Sequence, residues 1–491
     1  MKVNIVWFKK DLRLSDHTAL QLAAQERLPI ILLYVYEPEL WQQEDASFRQ
    51  FNFLNESLAE LQSECQKYHY HLNIFHGDIL ETLKKLQQNF TIKQIFSHQE
   101  TGNLWSYKRD LKVKDWTKQE HISWHEPSQF GVVRRLKDRD GWSALWYKQM
   151  SAEILAIPQD LKTLQVTKAQ LLTPEQLNLK NDAIKEAQIG GRKNALNLLN
   201  SFLYERGENY SKEMSSPVTA YDSCSRLSPY LTFGVISMKE AFQIATKRQK
   251  ELKNLASSQR GKWPGALRSF LGRLRWHCHF IQKLEDQPNI ETQNLHSTYD
   301  NLDRHTNQEY LEAWQTGNTG FPMIDAAMRA LITTGWLNFR MRAMLVSFAS
   351  NHLWLDWRVT GKYLARQFID YEPGIHYSQL QMQSGTTGIN AIRIYSPTKQ
   401  VADQDPEGIF IRKYLPELEH ISNKNLAIPH NEPLYIGNYP EPIVDEKIAR
   451  KTAANKLYNL RKNPEHRNQA SKIVQKHGSR KSGLKRTTKK L

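Results

Sequence analysis

An N-terminal α/β domain built on a parallel sheet, followed by an all-α domain, is predicted by three observations. Strand-like and helix-like patterns alternate through residues 1–130, helical patterns alone run from about residue 191 to about residue 460, and a mixed polar stretch separates the two regimes. The 491-residue chain is long enough for more than one domain, and its 40% hydrophobic content can fill sizeable cores.

The elements follow in order. The opening strand VNIVWF leads into a helical pattern over Ser15–Gln25, the strand LPIILLYVYE, a helix over Phe48–Lys67, and the strands HLNIFHG, IKQIFSHQ and ISWHE. Apolar runs of this kind, separated by helices, suit a sheet covered on both faces, whose ligands bind beyond the carboxyl ends of the strands. No GxGxxG is present, which removes support for a dinucleotide oxidoreductase. Residues 131–190 read as a connector, in which RRLKDRDGWSALWYKQM gives way to a polar, helix-prone run from Pro158 to Gln188. Residues 191–460 read as the helical domain.

The net charge of +16 is unevenly placed: from Arg461 to Leu491 there are eleven Lys and Arg against one Glu, which leaves only +6 for the rest. That composition predicts a disordered basic tail over residues 461–491, suited to phosphate contacts. Three scattered cysteines, Cys65, Cys224 and Cys278, offer neither a zinc site nor a disulfide framework, and suit a reducing cytoplasm. The longest apolar run, Ile30–Tyr36, is far too short to cross a membrane, and the N-terminus reads as a strand rather than a signal peptide.

Two constellations carry chemistry. From Trp336 to Leu355 an apolar stripe at helical spacing contains Arg340 and Arg342, which need anionic or hydrogen-bonding partners if buried. Asp370 and Glu372 qualify; they follow an expected helix over Gly361–Ile369, at whose C-terminal end acids oppose the dipole. A solvated surface turn is the alternative reading. The second constellation is YSKEMSSPVTAYDSCSRLSPYLTFGVIS, where Ser228 and Pro229 predict a helix start. Its free amides, the hydroxyls of Ser225 and Ser228, and Arg226 would form an anion site. His277 and His279 alternate on one helical stretch and do not share a face, so no metal site is expected.

These strings, together with FPMIDAAMRAL, RIYSPTKQ, DPEGIFIRKYLPEL and the opening VWFKKDLRLSDHTAL, resemble the DNA photolyase and cryptochrome family over nearly the full chain. HQETGNLWSYKRD, from His98 to Asp110, is a further family-like string. The resemblance implies a Rossmann-like antenna domain, an FAD-binding helical domain, and light-driven electron transfer from reduced flavin to UV-linked pyrimidines in DNA. A cryptochrome-type blue-light receptor is the alternative. It further implies a second antenna chromophore, a folate or deazaflavin. The lesion type stays open. A monomer is expected.

By the same resemblance Tyr210, Cys224, Ser225, Arg226, Leu227, Ser228, Arg273, Trp276, His277, Arg342, Asp370, Tyr371 and Glu372 contact the cofactor. Trp357 carries electrons, and His376 lies near flavin N5, either donating to it or turned away. Phe270, Arg273, Phe339, Arg340, Met382 and Arg393 face DNA or the lesion.

The chain departs from the family at several places. Lys9 and Glu372 replace a usual arginine and aspartate, and His376 replaces asparagine. Leu380 and Arg304 stand where relay tryptophans are expected, leaving Trp336, Trp354, Tyr371, Tyr377 and Tyr395 as substitutes. The histidine pair typical of repair of the other photoproduct is missing at Asn338 and Phe339, and no C-terminal cysteine cluster supports the iron–sulfur branch.

Overall fold

The strands at Lys2–Phe8 and Ile30–Tyr36 are buried along almost their whole length because both faces of the sheet are covered. The computed structural model describes residues 1–182 and 184–480. It contains a five-stranded parallel sheet ordered β3-β2-β1-β4-β5, made of β1 (Lys2–Phe8), β2 (Ile30–Tyr36), β3 (Leu72–His76), β4 (Thr91–Phe96) and β5 (Ser123–His125). Around it lie α1 (Thr18–Gln25), α2 (Phe48–Lys67), α3 (Ile79–Asn89) and α4 (Leu104–Gln119). Val3, Ile5, Trp7 and Leu33 share one core with residues of α3 and α4. Val6, Phe8, Leu32 and Tyr34 share the other with α1, α2 and much of the helical domain. The boundary near residue 130 is therefore a change of architecture without a break in packing.

The connector is less independent than its composition suggests. Its expected helical run is largely irregular loop, with a single 3-10 turn at Pro174–Leu177 among the described residues. Leu164 donates its amide to Ile30 O at 2.9 Å, and Val166 donates to Asn73 Oδ1 at 2.7 Å, so the segment is bound to the sheet. Sheet hydrogen bonds outweigh a weak local helix preference.

The site of interest is built by α5 (Ser228–Thr232), α6 (Met238–Lys253), α7 (Trp263–Asp286), α8 (Pro322–Thr334), α9 (Phe339–Ser347), α10 (Trp357–Gln367) and α11 (Pro373–Gln383). The stripe expected as one helix from Trp336 to Leu355 begins only at Phe339 and widens into a π turn over Phe348–His352. The expected helix from Gly361 starts earlier, at Trp357, where Asp356 accepts the Arg358 amide as its N-cap. Glu372 is the N-cap residue of α11, so this acid meets the favourable end of a dipole and the expected conflict does not arise. α11 packs along α7. The approach is close enough that a Cβ on Gly374 would lie 2.5 Å from Ile281 Cα, which explains glycine there.

The basic segment after Arg461 is not disordered through most of its described length. It forms α13 (Pro464–His477), after α12 (Glu446–Leu460), and buries His466, Ile473 and His477. The His466 ring stacks on His296 with centroids 4.0 Å apart. This narrow stripe is hidden in the sequence by the surrounding lysines and arginines. Residues 481–491, the rest of the expected tail, lie outside the described residues. Among the described residues no helix is long and apolar enough to cross a membrane.

Candidate functional site

Arg342, on the first turns of α9, is held on three sides. Its Nη1 and Nη2 donate to Asp370 Oδ1 and Oδ2 at 2.9 and 2.8 Å, and its Nε donates to Leu337 O at 2.7 Å. The guanidinium lies 4.1 Å from the centre of the Phe368 ring. Asp370 is 3% exposed against 25% for Arg342, so the pair presents one guanidinium edge while its carboxylate is enclosed. His277 of α7 lies close enough for Asp370 to act on it, yet burial prevails and pulls its imidazole down to about 4.

The loop from Tyr210 to Ser228 forms the opposing wall. Tyr210 is buried, and Arg206 donates to the carbonyls of Asp222, Cys224 and Ser225. Arg226 takes a left-handed backbone, φ 55°, and its guanidinium sits 3.6 Å over Tyr221 and 5.6 Å from Trp336. Burial pushes the Cys224 thiol up to about 12, against the opposing charges of Arg206, Arg226, Arg273 and Arg342. Four guanidiniums thus converge on one loop. The expected helix start at Ser228 is present, but α5 is only five residues long, with Leu227 as its N-cap residue and no side-chain cap. So short a helix adds little dipole, and the arginines supply the positive field.

Arg226 Nε and His277 Nδ1 are buried without a hydrogen-bond partner. Buried polar atoms of this kind call for a ligand's acceptors and donors. A molecule with diphosphate oxygens and a polar ring edge fits them, as FAD does.

Residues expected to face DNA adjoin this loop. Asn338 Nδ2 donates to Met214 O and Ser215 O at 3.2 and 2.8 Å, Arg340 Nη2 reaches Ser215 Oγ at 3.4 Å, and Arg273 Nη2 contacts Met214 Sδ at 3.9 Å. Phe339 is 47% exposed, and Trp276, expected at the cofactor, is instead 38% exposed, both unusual for rings of their size. Phe270 is a correction. It is 3% exposed and packs on Phe202 with centroids 4.8 Å apart, so it belongs to the core and cannot face a lesion. Met382 is half-buried on α11, and exposed Arg393 is tied by its carbonyl to Ser347 Oγ.

On the electron-transfer side, Trp357 is 1% exposed and donates its indole N–H to Asn294 Oδ1 at 2.8 Å. Leu380 is buried. Arg304 bonds Ser384 O and lies 4.8 Å from the Trp354 ring. His376 donates from Nε2 to Gly361 O at 2.9 Å, and burial pulls it down to about 4. A neutral imidazole has one N–H, already committed to α10, so the geometry removes the donor reading of His376. Burial pushes Glu372 up to about 7; the charges acting on it are Lys10 and Glu100 of the α/β domain.

The sequence did not show which side chains meet in two further arrangements. A cavity at the carboxyl ends of β1, β2 and β4 is lined by Trp7, Lys9, Glu37, Asp45, Arg109 and Tyr371 among others. Arg109 binds Glu37 at 2.8 Å and Asp110 at 2.8 Å, and Lys9 binds Asp110 at 3.1 Å. The string HQETGNLWSYKRD was the available signal for part of this network, while Asp45 and Tyr371 arrive from distant segments. The second is Asp11, His17 and His98, a buried cluster whose ligand-capable atoms lie within 4.8 Å of one another. His98 Nδ1 is 2.7 Å and His17 Nε2 3.0 Å from Asp11 Oδ2, while His17 Nδ1 accepts the Leu20 amide. With that nitrogen used as acceptor, Nε2 carries the proton and has no lone pair for a metal.

Burial opposes the charge on Asp11, but His17 and His98 outweigh it and hold the carboxyl well below the usual range. Burial, with His17 alongside, pulls His98 down to about 3. His98 is therefore neutral when folded, and its contribution is lost as pH falls from the unfolded value of about 6.5 toward 3; the Asp11 contribution is also lost as pH falls. The unfolding free energy of the protein minus that of His98→Gln should shrink by about 1.4 kcal/mol per pH unit between about pH 6.5 and 4. A constant difference in urea titrations across that range would refute the coupling.

Residues 4–155 match the family model described as DNA photolyase, and residues 270–459 match that described as FAD binding domain of DNA photolyase. The chain belongs to the photolyase/cryptochrome family. It is 27% identical to the deoxyribodipyrimidine photo-lyase of Buchnera aphidicola, over 92% of this chain and 96% of that protein. It is 29% identical to cryptochrome-2 of Arabidopsis thaliana, over 94% of this chain and 79% of the plant protein. Among solved structures, a bacterial class III photolyase from Agrobacterium tumefaciens superposes with a TM-score of 0.80 at 25% identity, covering 94% of this chain and 98% of that one. An archaeal photolyase from Sulfolobus tokodaii, described with two FAD molecules, gives 0.78 at 25% identity, covering 94% and 100%. Photolyase-like architecture thus extends across both domains, and the Arg342–Asp370 pair lies inside the segment matched by the FAD-binding model.

Proposed function

We propose that the chain is a blue-light-driven photolyase that binds FAD over Arg342 and Asp370 and restores UV-linked pyrimidine pairs in DNA. The convergence of Arg206, Arg226, Arg273 and Arg342 on the Cys224–Ser228 loop, beside exposed Phe339 and Trp276, carries this reading. Bound FAD supplies light absorption and a transferable electron.

The chain's residues bind, orient and exclude water. Ser225, Arg226 and Ser228 meet the diphosphate, with Tyr210, Cys224 and Leu227 closing the loop around it. Arg342, fixed by Asp370, stabilises negative charge at the ring system, and His277 and Glu372 complete the enclosure, while the Tyr371 phenol is bonded to Asp45. Trp357 serves electron delivery, and His376 holds α10 against α11. A pyrimidine pair flipped from the duplex would stack on Phe339 and Trp276, with Arg273, Arg340 and Arg393 on phosphates and Met382 at the pocket edge. The cavity at the sheet's carboxyl end is the place for a second, antenna chromophore, a folate or deazaflavin. The protein would work as a monomer in the cytoplasm, where its three cysteines stay reduced.

Illumination of the chemically reduced protein with dimer-containing single- and double-stranded DNA should restore pyrimidines. Phe339→Ala should weaken binding to damaged DNA about tenfold, the effect of one lost base stack. Repair of neither photoproduct, with a persistent light-induced change of the flavin spectrum, would instead favour a cryptochrome-type receptor, the reading that the altered Phe339 and His376 positions support.

A further inference from the structure

Asp45, in the segment between β2 and α2, is 6% exposed and bonds to no cation among the described residues. Its Oδ2 accepts the Tyr371 phenol at 2.6 Å, and the Asn103 amide donates to Oδ1 and Oδ2 at 3.3 and 3.0 Å. The Tyr371 and Tyr377 oxygens are 3.3 Å apart, and the Tyr377 ring centre is 6.3 Å from that of Trp357. A phenol has one proton. That of Tyr371 lies on the shorter bond to Asp45, so the Tyr377 hydroxyl is the donor in the longer contact. The three groups form a directed path, Tyr377 O–H to Tyr371 O–H to the Asp45 carboxylate.

Trp357 lacks such an outlet. Its indole N–H is bonded to the neutral amide oxygen of Asn294, a poor proton acceptor, so a one-electron hole there persists until another group fills it. Tyr377 packs at a tilt of 66° against that ring and has a base at the end of its path. Burial raises both phenols well above their ordinary values, so each holds its proton until oxidised. Asp45 and Tyr371 also line the cavity at the sheet end.

We propose that Tyr377 and Tyr371, with Asp45 as terminal proton acceptor, form a proton-coupled electron donor that serves photoreduction of oxidised flavin through Trp357. This rests on the flavin reading above. Trp357 would supply one electron to bound FAD under illumination, and one electron from Tyr377 would refill Trp357. The Tyr377 proton moves to the Tyr371 oxygen as the Tyr371 proton moves to Asp45. The balance is one electron gained by the flavin, a neutral phenoxyl radical at Tyr377 and a protonated Asp45. An added thiol then returns a hydrogen atom to Tyr377, and Asp45 releases its proton to solvent. Leu380 and Arg304, which cannot carry a hole, would be bypassed.

The test is blue-light reduction of the oxidised FAD-loaded protein with a thiol present, followed by transient absorption and electron paramagnetic resonance in H2O and D2O. Tyr377→Phe and Asp45→Asn should each reduce the yield of lasting photoreduction at least tenfold while keeping wild-type flavin content. The wild type should show a tyrosyl signature whose formation slows about twofold in D2O, and Asp45→Asn should lose that isotope effect. Wild-type yields in both variants, or no tyrosyl signature in the parent protein, would overturn the relay. Repair by the chemically reduced wild type is scored in parallel. Its absence alongside an intact relay would fail the photolyase reading alone, whereas a protein that takes up no flavin would fail both.

Discussion

Arg342→Ala is expected to release FAD and to destabilise the helical domain by about 3–5 kcal/mol, the scale for removing one partner of an enclosed ion pair. The size follows from the asymmetry of the pair. Asp370 is 3% exposed, so alanine strands a carboxylate with neither water nor a counter-charge, whereas Arg342 keeps 25% exposure and can be hydrated without its partner. Asp370→Asn should accordingly cost less than Arg342→Ala. Arg342→Lys should fall between the two in flavin retention, because an ammonium keeps the charge but cannot match both carboxylate oxygens. Flavin-to-protein absorbance ratios and urea unfolding give the order directly. A fully loaded, undiminished Arg342→Ala protein would remove this pair from the cofactor site.

The second large effect is expected at Arg49→Ala, at the junction of the two domains. Arg49 projects from α2 of the α/β domain, and its guanidinium bonds Asp182 at 3.0 Å, Gln367 O at 3.1 Å and Ile332 O at 3.4 Å. The last two are carbonyls in the final turns of α10 and α8, where the helix dipoles favour a cation. Beside it, Gln50 donates to Ala365 O and Phe368 O at 2.7 and 3.1 Å. Alanine would leave these buried groups unsatisfied at the domain junction, a loss of about 3 kcal/mol. Phe368 and Asp370 are close by in the chain, so flavin retention should fall as well. Unfolding monitored by flavin fluorescence and by far-UV circular dichroism should separate into two transitions in this variant. Unshifted, coincident transitions would count against the clamp.

Much of the fold was legible because its local and global preferences agree. The strands announce themselves through apolar runs too short for buried helices, and the helices between them through periodicity. The Arg342–Asp370 pair was legible because a cation in an apolar stripe demands a partner. Other features were not. Phe270 and Phe339 look alike in sequence, yet one packs against Phe202 while the other is nearly half exposed; only the neighbours that cover a helix face distinguish them. His376 was ambiguous for the same reason, since its role turns on which carbonyl its ring reaches. Glu372 read as an acid at the wrong end of a helix, but that helix ends at Gln367 and Glu372 is the N-cap residue of the next.

Composition misled at the C-terminus. Eleven cations over the last 31 residues suggest a solvated arm, but the buried stripe of His466, Ile473 and His477 needs only three positions in fourteen. Charge counts average over a helix's faces, whereas packing depends on one of them.

The sequence by itself determined the domain order, the parallel sheet, the absence of a dinucleotide fingerprint and the family resemblance, because each is written in contiguous residues. The tertiary structure decided which side chains meet. Asp45 reaches Tyr371 across 326 positions, Asp11 gathers His98 from 87 away, and Arg206 binds the Cys224 carbonyl. Such contacts depend on directions and distances of a few ångströms that no local periodicity encodes, and in this protein they are where the chemistry is set.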